Sequence, residues 1–185
     1  MGCACDELAE SEKNQWELSF ISKDDFMKLL HGNRDFSALL IKHLHAFLPD
    51  DRRGVIAVLS ARVASIGDNR LGGWISYRAS KAALNHFTRL LAKEEPAITA
   101  IAFRPGIVDT AMQAEIRETP SSRFPQVERW HQWHRTGQLR PPSEPALGVL
   151  WLASDFARDA NGQLFSFTDE QFRKRLAVDL QVELS

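Results

Sequence analysis

The sequence predicts an α/β fold, a parallel sheet with helices laid over its faces. Three observations carry this. Residues 55–59 and 98–103 are short, continuous apolar runs, the pattern of strands buried on both faces. Between them, the segment from Tyr77 to about Glu95 reads as a long helix, and a parallel pair needs a crossover of that kind. Helical and strand patterns keep alternating to the C-terminus, which implies βαβ units.

Residues 1–20 are acidic and weakly patterned, with Asp6, Glu7, Glu10, Glu12 and Glu17. They are expected to be a flexible lead-in, and residues 21–185 a single domain. Ser22 and Asp25 resemble a capping box for a helix from Lys23 to about Leu30. Gly32 and Asn33 interrupt it, and a more apolar helix follows over about 36–48, ended by Pro49-Asp50-Asp51. The first strand ends at Ser60, and a polar loop with Gly67, Asp68, Asn69, Gly72 and Gly73 leads to the long helix. The second strand closes on Arg104-Pro105-Gly106. Residues 108–142 hold Pro120, Pro125, Pro141 and Pro142 and are expected to be irregular. Ser143 is a plausible N-cap for a helix through Ala153, with Pro145 tolerated in its first turn. Asn161-Gly162 turns into a short strand over 163–167, and Thr168 with Gln171 forms a capping box for a last helix from Asp169 to about Leu180.

Composition narrows the function. The chain has 185 residues, 44% of them apolar and 25% charged, which is ordinary for a soluble globular protein. A formal net charge of −1 leaves no basic excess to neutralise phosphates, so nucleic acid is not the expected partner. Arg173-Lys174-Arg175 is then most simply a solvated helix face. No apolar run reaches the length of a membrane helix. Met1-Gly2-Cys3-Ala4-Cys5 resembles an acylation signal, but Asp6 stands where Ser or Thr is preferred, so no membrane anchor is expected. Cys3 and Cys5 suit neither a disulfide framework nor zinc, and a cytoplasmic, reducing setting follows. His131 and His134 lack a convincing third ligand, so no metal is expected. With Trp130 and Trp133 they read as part of a packed or solvated loop helix rather than a substrate lid.

The chain's single tyrosine opens the run Tyr77-Arg78-Ala79-Ser80-Lys81. Tyr and Lys four apart share one helix face. A neighbouring ammonium favours the phenolate, so a phenol that normally titrates near about 10 can exchange protons closer to neutrality. That is the requirement for a general acid/base.

The surroundings of this pair extend the pattern. They comprise Leu59-Ser60-Ala61-Arg62-Val63-Ala64-Ser65-Ile66-Gly67-Asp68-Asn69, then Gly72-Gly73-Trp74-Ile75-Ser76 before Tyr77 and Ala82-Ala83-Leu84-Asn85 after Lys81. Arg104-Pro105-Gly106-Ile107-Val108-Asp109-Thr110 adds a Pro-Gly turn after the second strand. Together these resemble the short-chain dehydrogenase/reductase family, nearest its C-factor-like and sniffer-like carbonyl reductases. The resemblance is good over roughly 23–112 and weaker beyond.

The resemblance implies an NAD- or NADP-dependent oxidoreductase acting on a small carbonyl or alcohol. Tyr77 becomes the general acid/base, and Lys81 tunes it and binds the nicotinamide ribose. Asn33 becomes the asparagine of a proton relay, though it reads equally as a turn residue after Gly32. The family's strand ends in two serines, of which the second orients the substrate oxygen; here those positions hold Ser60 and Ala61. Ser65, twelve residues before Tyr77, is the first candidate for that role and Ser60 the second. Pro105, Gly106, Val108 and Thr110 would border the nicotinamide, beside Tyr77 and Lys81.

The chain departs from the family at its front. It has neither the Gly-rich turn that seats a pyrophosphate on a helix N-terminus nor the family's Asn-Asn-Ala-Gly strand end. It is therefore expected to enter the fold after the fourth strand. The result is a truncated, partial Rossmann-type doubly wound sheet of the family's last three strands, with strand 55–59 as an exposed edge. Cofactor binding is expected to be weak. The alternative is a catalytically inactive fragment that acts through homodimerisation by the helices near 36–48 and 74–95.

Overall fold

The computed structural model describes residues 23–44, 47, 54–67 and 73–184. In chain order these form α1 (Lys23–Leu30), a π-helical turn (His31–Asp35), α2 (Phe36–Leu44), β1 (Gly54–Leu59) and a 3-10 turn (Arg62–Ala64). Next come α3 (Ile75–Glu94), β2 (Ile98–Arg104), α4 (Ala111–Glu118), α5 (Val127–Arg135) and α6 (Ser143–Ala153). A second 3-10 turn (Asp155–Ala157), β3 (Leu164–Ser166) and α7 (Glu170–Leu180) complete the described chain.

The sheet is parallel throughout, in the order β1-β2-β3. Gly54 pairs with Ile98 and Leu59 with Phe103 at the two ends of the first ladder. β2 is the central strand and is buried along nearly its whole length, which is why its apolar run lacks any alternation. Its side chains nevertheless go to opposite faces in turn. Ala102 joins Val58 against Leu84 of α3 on one face. Ile101 and Phe103 point the other way, into a core with Trp151 and Leu152 of α6 and Phe172 and Leu176 of α7. The sheet is thus covered on both sides, α3 opposite α6 and α7. The Trp151 indole donates to Asp179 at 2.7 Å and ties α6 to α7. Asn161 clamps the turn before β3: its amide donates to the Ala92 carbonyl at 3.0 Å and its oxygen accepts from the Ala100 N–H at 2.9 Å.

Several expectations need correction. Residues 108–142 are not irregular, since they contain α4 and α5. The prolines sit between and beyond these helices, where they punctuate rather than prevent helix formation. Ser143 is the first helical residue of α6; Pro142 holds the cap position and no side chain caps the helix. Thr168 does not cap α7, because its hydroxyl pairs with that of Ser166 at 2.9 Å. Asp169 does so instead, accepting from the Phe172 N–H at 3.0 Å. The last strand is shorter than expected, at Leu164–Ser166. The expected lead-in, Ser22 and the end of the second helix beyond Leu44 fall partly or wholly outside the described residues.

Candidate active site

The site forms where β1 ends. In parallel strands the C-terminal ends share one edge, so Leu59, Arg104 and Ser166 lie along the same rim, the side on which open α/β sheets bind ligands. The chain leaves β1 at Ser60, whose N–H donates to the Phe103 carbonyl at 2.7 Å. A peptide plane points its C=O opposite its N–H, so the Leu59 carbonyl faces away from β2, toward the outer edge. Lys81 takes it there, with Nζ 3.0 Å from the Leu59 oxygen.

Tyr77, Lys81 and Asn85 are spaced four apart on α3 and share the face turned to this strand end. The Lys81 ammonium lies 5.7 Å from the centroid of the Tyr77 ring, within cation–π range. Tyr77 and Lys81 are both half-buried. Asn85 accepts from the Ser60 hydroxyl at 2.5 Å. Ser60 is buried, at 5% exposure. Its hydroxyl therefore ties the strand end to α3 and is committed to that bond. Ser65 follows the first 3-10 turn, half-buried, with its N–H on the Arg62 carbonyl at 3.1 Å. Its hydroxyl has no hydrogen bond among the described residues.

Two residues overlooked in the sequence organise the entry to α3. Trp74 holds a left-handed conformation (φ 50°, ψ 40°) at the cap position, uncommon for a bulky residue. Phe124 and Trp130 hold its ring, at centroid separations of 5.9 and 5.2 Å. Arg78 donates to the Gly73 carbonyl at 2.9 Å and to the Val63 carbonyl at 3.3 Å. It thus fastens the loop carrying Ser65 to the helix carrying Tyr77. Nothing in local spacing marks Arg78 for this, since its partner Val63 lies fifteen residues back.

Asn33 lies in the π-helical turn His31–Asp35, a rare geometry found frequently at functional sites. The turn packs against α3, which brings its backbone alongside the Tyr77 helix. Beyond β2, residues 105–110 fold back as a turn held by Arg140: the Asp109 N–H donates to the Arg140 carbonyl at 2.8 Å, and the Arg140 N–H to the Ile107 carbonyl at 3.0 Å. Val108 bridges to Arg140 in this arrangement. Gly106 has φ +89°, and a Cβ there would meet Thr168 Cγ2 at 3.0 Å. Gly106→Ala is accordingly expected to cost about 1–2 kcal/mol, readable in thermal unfolding. Thr110 caps α4 without using its hydroxyl, which leaves that hydroxyl for a ligand.

A family model described as short chain dehydrogenase matches residues 12–121, more than half of the chain. The protein belongs to the short chain dehydrogenase family. Among relatives, benzil reductase ((S)-benzoin forming) IRC24 of Saccharomyces cerevisiae is 42% identical over 105 residues, covering 54% of this chain and 40% of that protein. The benzil reductase ((S)-benzoin forming) of Bacillus subtilis is 41% identical over 105 residues, covering 55% and 42% respectively. A solved short chain dehydrogenase/reductase of Saccharomyces cerevisiae superposes with a TM-score of 0.73 at 30% identity, covering 85% of this chain and 62% of that one. A metagenomic blue fluorescent protein in complex with NADPH superposes at 0.67 with 25% identity, covering 85% and 60%. The matches span about two fifths of the two benzil reductases and about three fifths of the two solved chains.

Short chain dehydrogenases typically depend on NAD(P), and the residues present fit one end of that molecule. Lys81 has three N–H donors, one of which goes to the Leu59 carbonyl. The glycine turn at Gly106 and the unspent Thr110 hydroxyl offer a close, polar approach. No Gly-x-Gly-x-x-Gly turn occurs in the sequence, so the fit is to the nicotinamide-ribose end. Among the described residues, no His/Cys/Asp/Glu group suits a metal and no helix is long and apolar enough to cross a membrane.

Proposed function

We propose that the chain is the nicotinamide-end portion of an NAD(P)-dependent oxidoreductase interconverting a carbonyl and an alcohol. The observation that carries this is the Lys81 ammonium placed between the Leu59 carbonyl and the Tyr77 ring, at the ligand-binding rim of the sheet. Bound NAD(P)H would supply the hydride. Tyr77 donates the proton to the carbonyl oxygen on reduction and takes it back on oxidation. Lys81 steadies the phenolate by its charge and binds the nicotinamide ribose. Pro105, Gly106, Val108 and Thr110 border the nicotinamide, and Asn33 supplies the proton relay. Within the family we group the chain with the C-factor-like and sniffer-like carbonyl reductases, acting in the cytoplasm. The named activity of the yeast and Bacillus relatives makes benzil the first carbonyl to try.

Ser65 is the residue we assign to orient the substrate oxygen, because its hydroxyl is uncommitted while that of Ser60 is bound to Asn85. Ser65→Ala is expected to lower turnover by about 10²-fold with unchanged stability. Ser60→Ala is expected to do the reverse, costing about 1 kcal/mol of stability with little loss of turnover. Steady-state kinetics and thermal melts on the two variants separate the assignments.

Titrating the folded chain with NADPH and NADH, followed by quenching of its five tryptophans, tests the reading itself. A saturable signal that is lost in Lys81→Ala supports it, with weak affinity expected because groups for the pyrophosphate are not among the described residues. No signal at millimolar cofactor from a folded sample overturns it for this chain. We also propose self-association through α2 and α3, where Leu39 and Leu90 stand exposed; sedimentation velocity reads that directly.

A further inference from the structure

The two hydroxyls assigned to one substrate oxygen stand on different elements, Ser65 on the loop after β1 and Tyr77 on α3. Whether they meet depends on how that loop is held to that helix. The strand end is fixed by Ser60 on Asn85, but Ser65 lies five residues further along. There the chain is held by Arg78. Its Nη1 donates to the carbonyl of Val63, two residues before Ser65, at 3.3 Å, and its Nε donates to that of Gly73 at 2.9 Å. One half-buried guanidinium therefore clasps both flanks of the segment between β1 and α3. Successive helix residues point in different directions: Arg78 turns to the loop, while Lys81 turns to the Tyr77 ring. The start of α3 has further supports of its own. Gly73 and Trp74 are consecutive left-handed residues, at φ 64° and 50°. The Arg78 backbone N–H donates to the Trp74 carbonyl at 2.8 Å, and Phe124 and Trp130 hold the Trp74 ring. Neither contact uses the Arg78 side chain, so losing that side chain acts first on the stretch from Val63 to Ser65.

We propose that Arg78 is a positioning residue, which sets the Ser65 hydroxyl against Tyr77 by clasping the loop to α3. The proposal rests on the oxidoreductase reading above, with its assignment of Ser65. A displacement of about 1 Å at a reacting group can cost about 10²-fold in rate. A guanidinium suits the task because its planar fork holds several donors at fixed separations, whereas a lysine ammonium is a single point on a flexible stem.

A double-variant cycle on the full chain supplies the test, with NADPH and benzil in steady-state assays. Arg78→Met is expected to lower kcat by about 10- to 100-fold, with KM for NADPH and the pH profile of kcat unchanged. In a Ser65→Ala background the same change should cost less than about twofold, because the hydroxyl it positions is already gone. Arg78→Lys should recover part of the loss. Amide hydrogen exchange reads the clasp without turnover. The Ala64 and Ser65 N–H groups, bonded to the Ala61 and Arg62 carbonyls, should exchange about tenfold faster in Arg78→Met, with Leu84 in mid-α3 unchanged. Arg78→Gln takes its place in both measurements if Arg78→Met does not fold. Unchanged exchange at Ala64 and Ser65, an equal loss of kcat in both backgrounds, or a shifted pH profile overturns the proposal. No benzil turnover by the folded wild type overturns it too; absent NADPH and NADH binding in the tryptophan titration then marks failure of the oxidoreductase reading itself.

Discussion

Tyr77→Phe is expected to reduce carbonyl turnover by about 10²- to 10⁴-fold while leaving the fold and cofactor binding in place. The ring keeps its packing and its place 5.7 Å from the Lys81 ammonium; only the exchangeable proton is lost. The effect belongs in kcat rather than KM, because the group acts on charge that develops during the reaction. Lys81→Ala behaves differently. It removes both the charge beside the phenol and the donor on the Leu59 carbonyl, so cofactor affinity and turnover fall together. A Tyr77→Phe variant with wild-type turnover would remove the tyrosine from the mechanism outright, and NADPH oxidation assays on matched, folded samples decide the matter.

Gly148→Ala is expected to destabilise the protein by about 1–3 kcal/mol, against the expectation from helix propensity. In an exposed helix interior the same change stabilises by about 1 kcal/mol. Gly148 lies within α6, however, and a Cβ there would stand 2.5 Å from Cζ and 2.9 Å from Cε2 of Phe103. Phe103 is fully buried and packs edge-on to Phe172 at 6.4 Å, so its ring cannot retreat without displacing the core between β2 and α7. Tm should fall by about 2–4 °C for each kcal/mol lost. Combining the change with Phe103→Leu removes the colliding ring atoms, so the double variant should lose less than the sum of the two single changes.

What could be read in the sequence depended on whether its cause was local. β2 was legible because burial on both faces demands an unbroken apolar run. α3 was legible from its length, and the shared helix face of Tyr77 and Lys81 from their spacing. α4 escaped notice and α5 was read only as a loop helix, because each is only about two turns long and lies among prolines, and the buried residues of α5 are just Val127 and Trp130. The choice between Thr168 and Asp169 as the cap of α7 turned on which side chain reaches the Phe172 N–H, a matter of one residue's geometry. In sequence Ser65 could be placed ahead of Ser60 only by its spacing from Tyr77, because the partner that occupies Ser60, Asn85, lies twenty-five residues away. Trp74 and Arg78 belong to the same class: their roles exist only once the loop after β1 and the helix after it have met.

The peptide joining Leu59 to Ser60 is gripped from both sides, by the Phe103 carbonyl on one and the Lys81 ammonium on the other. Strand register and ammonium position are consequently a single coordinate. A one-residue slip of β1 would exchange its two faces and turn the outward carbonyl inward, withdrawing the anchor from Lys81. Any constraint on where the Lys81 ammonium sits is therefore also a constraint on the register of this ladder. Anyone extending the sheet past β1 must let the added strand end, or bulge, before it reaches the carbonyl of Leu59.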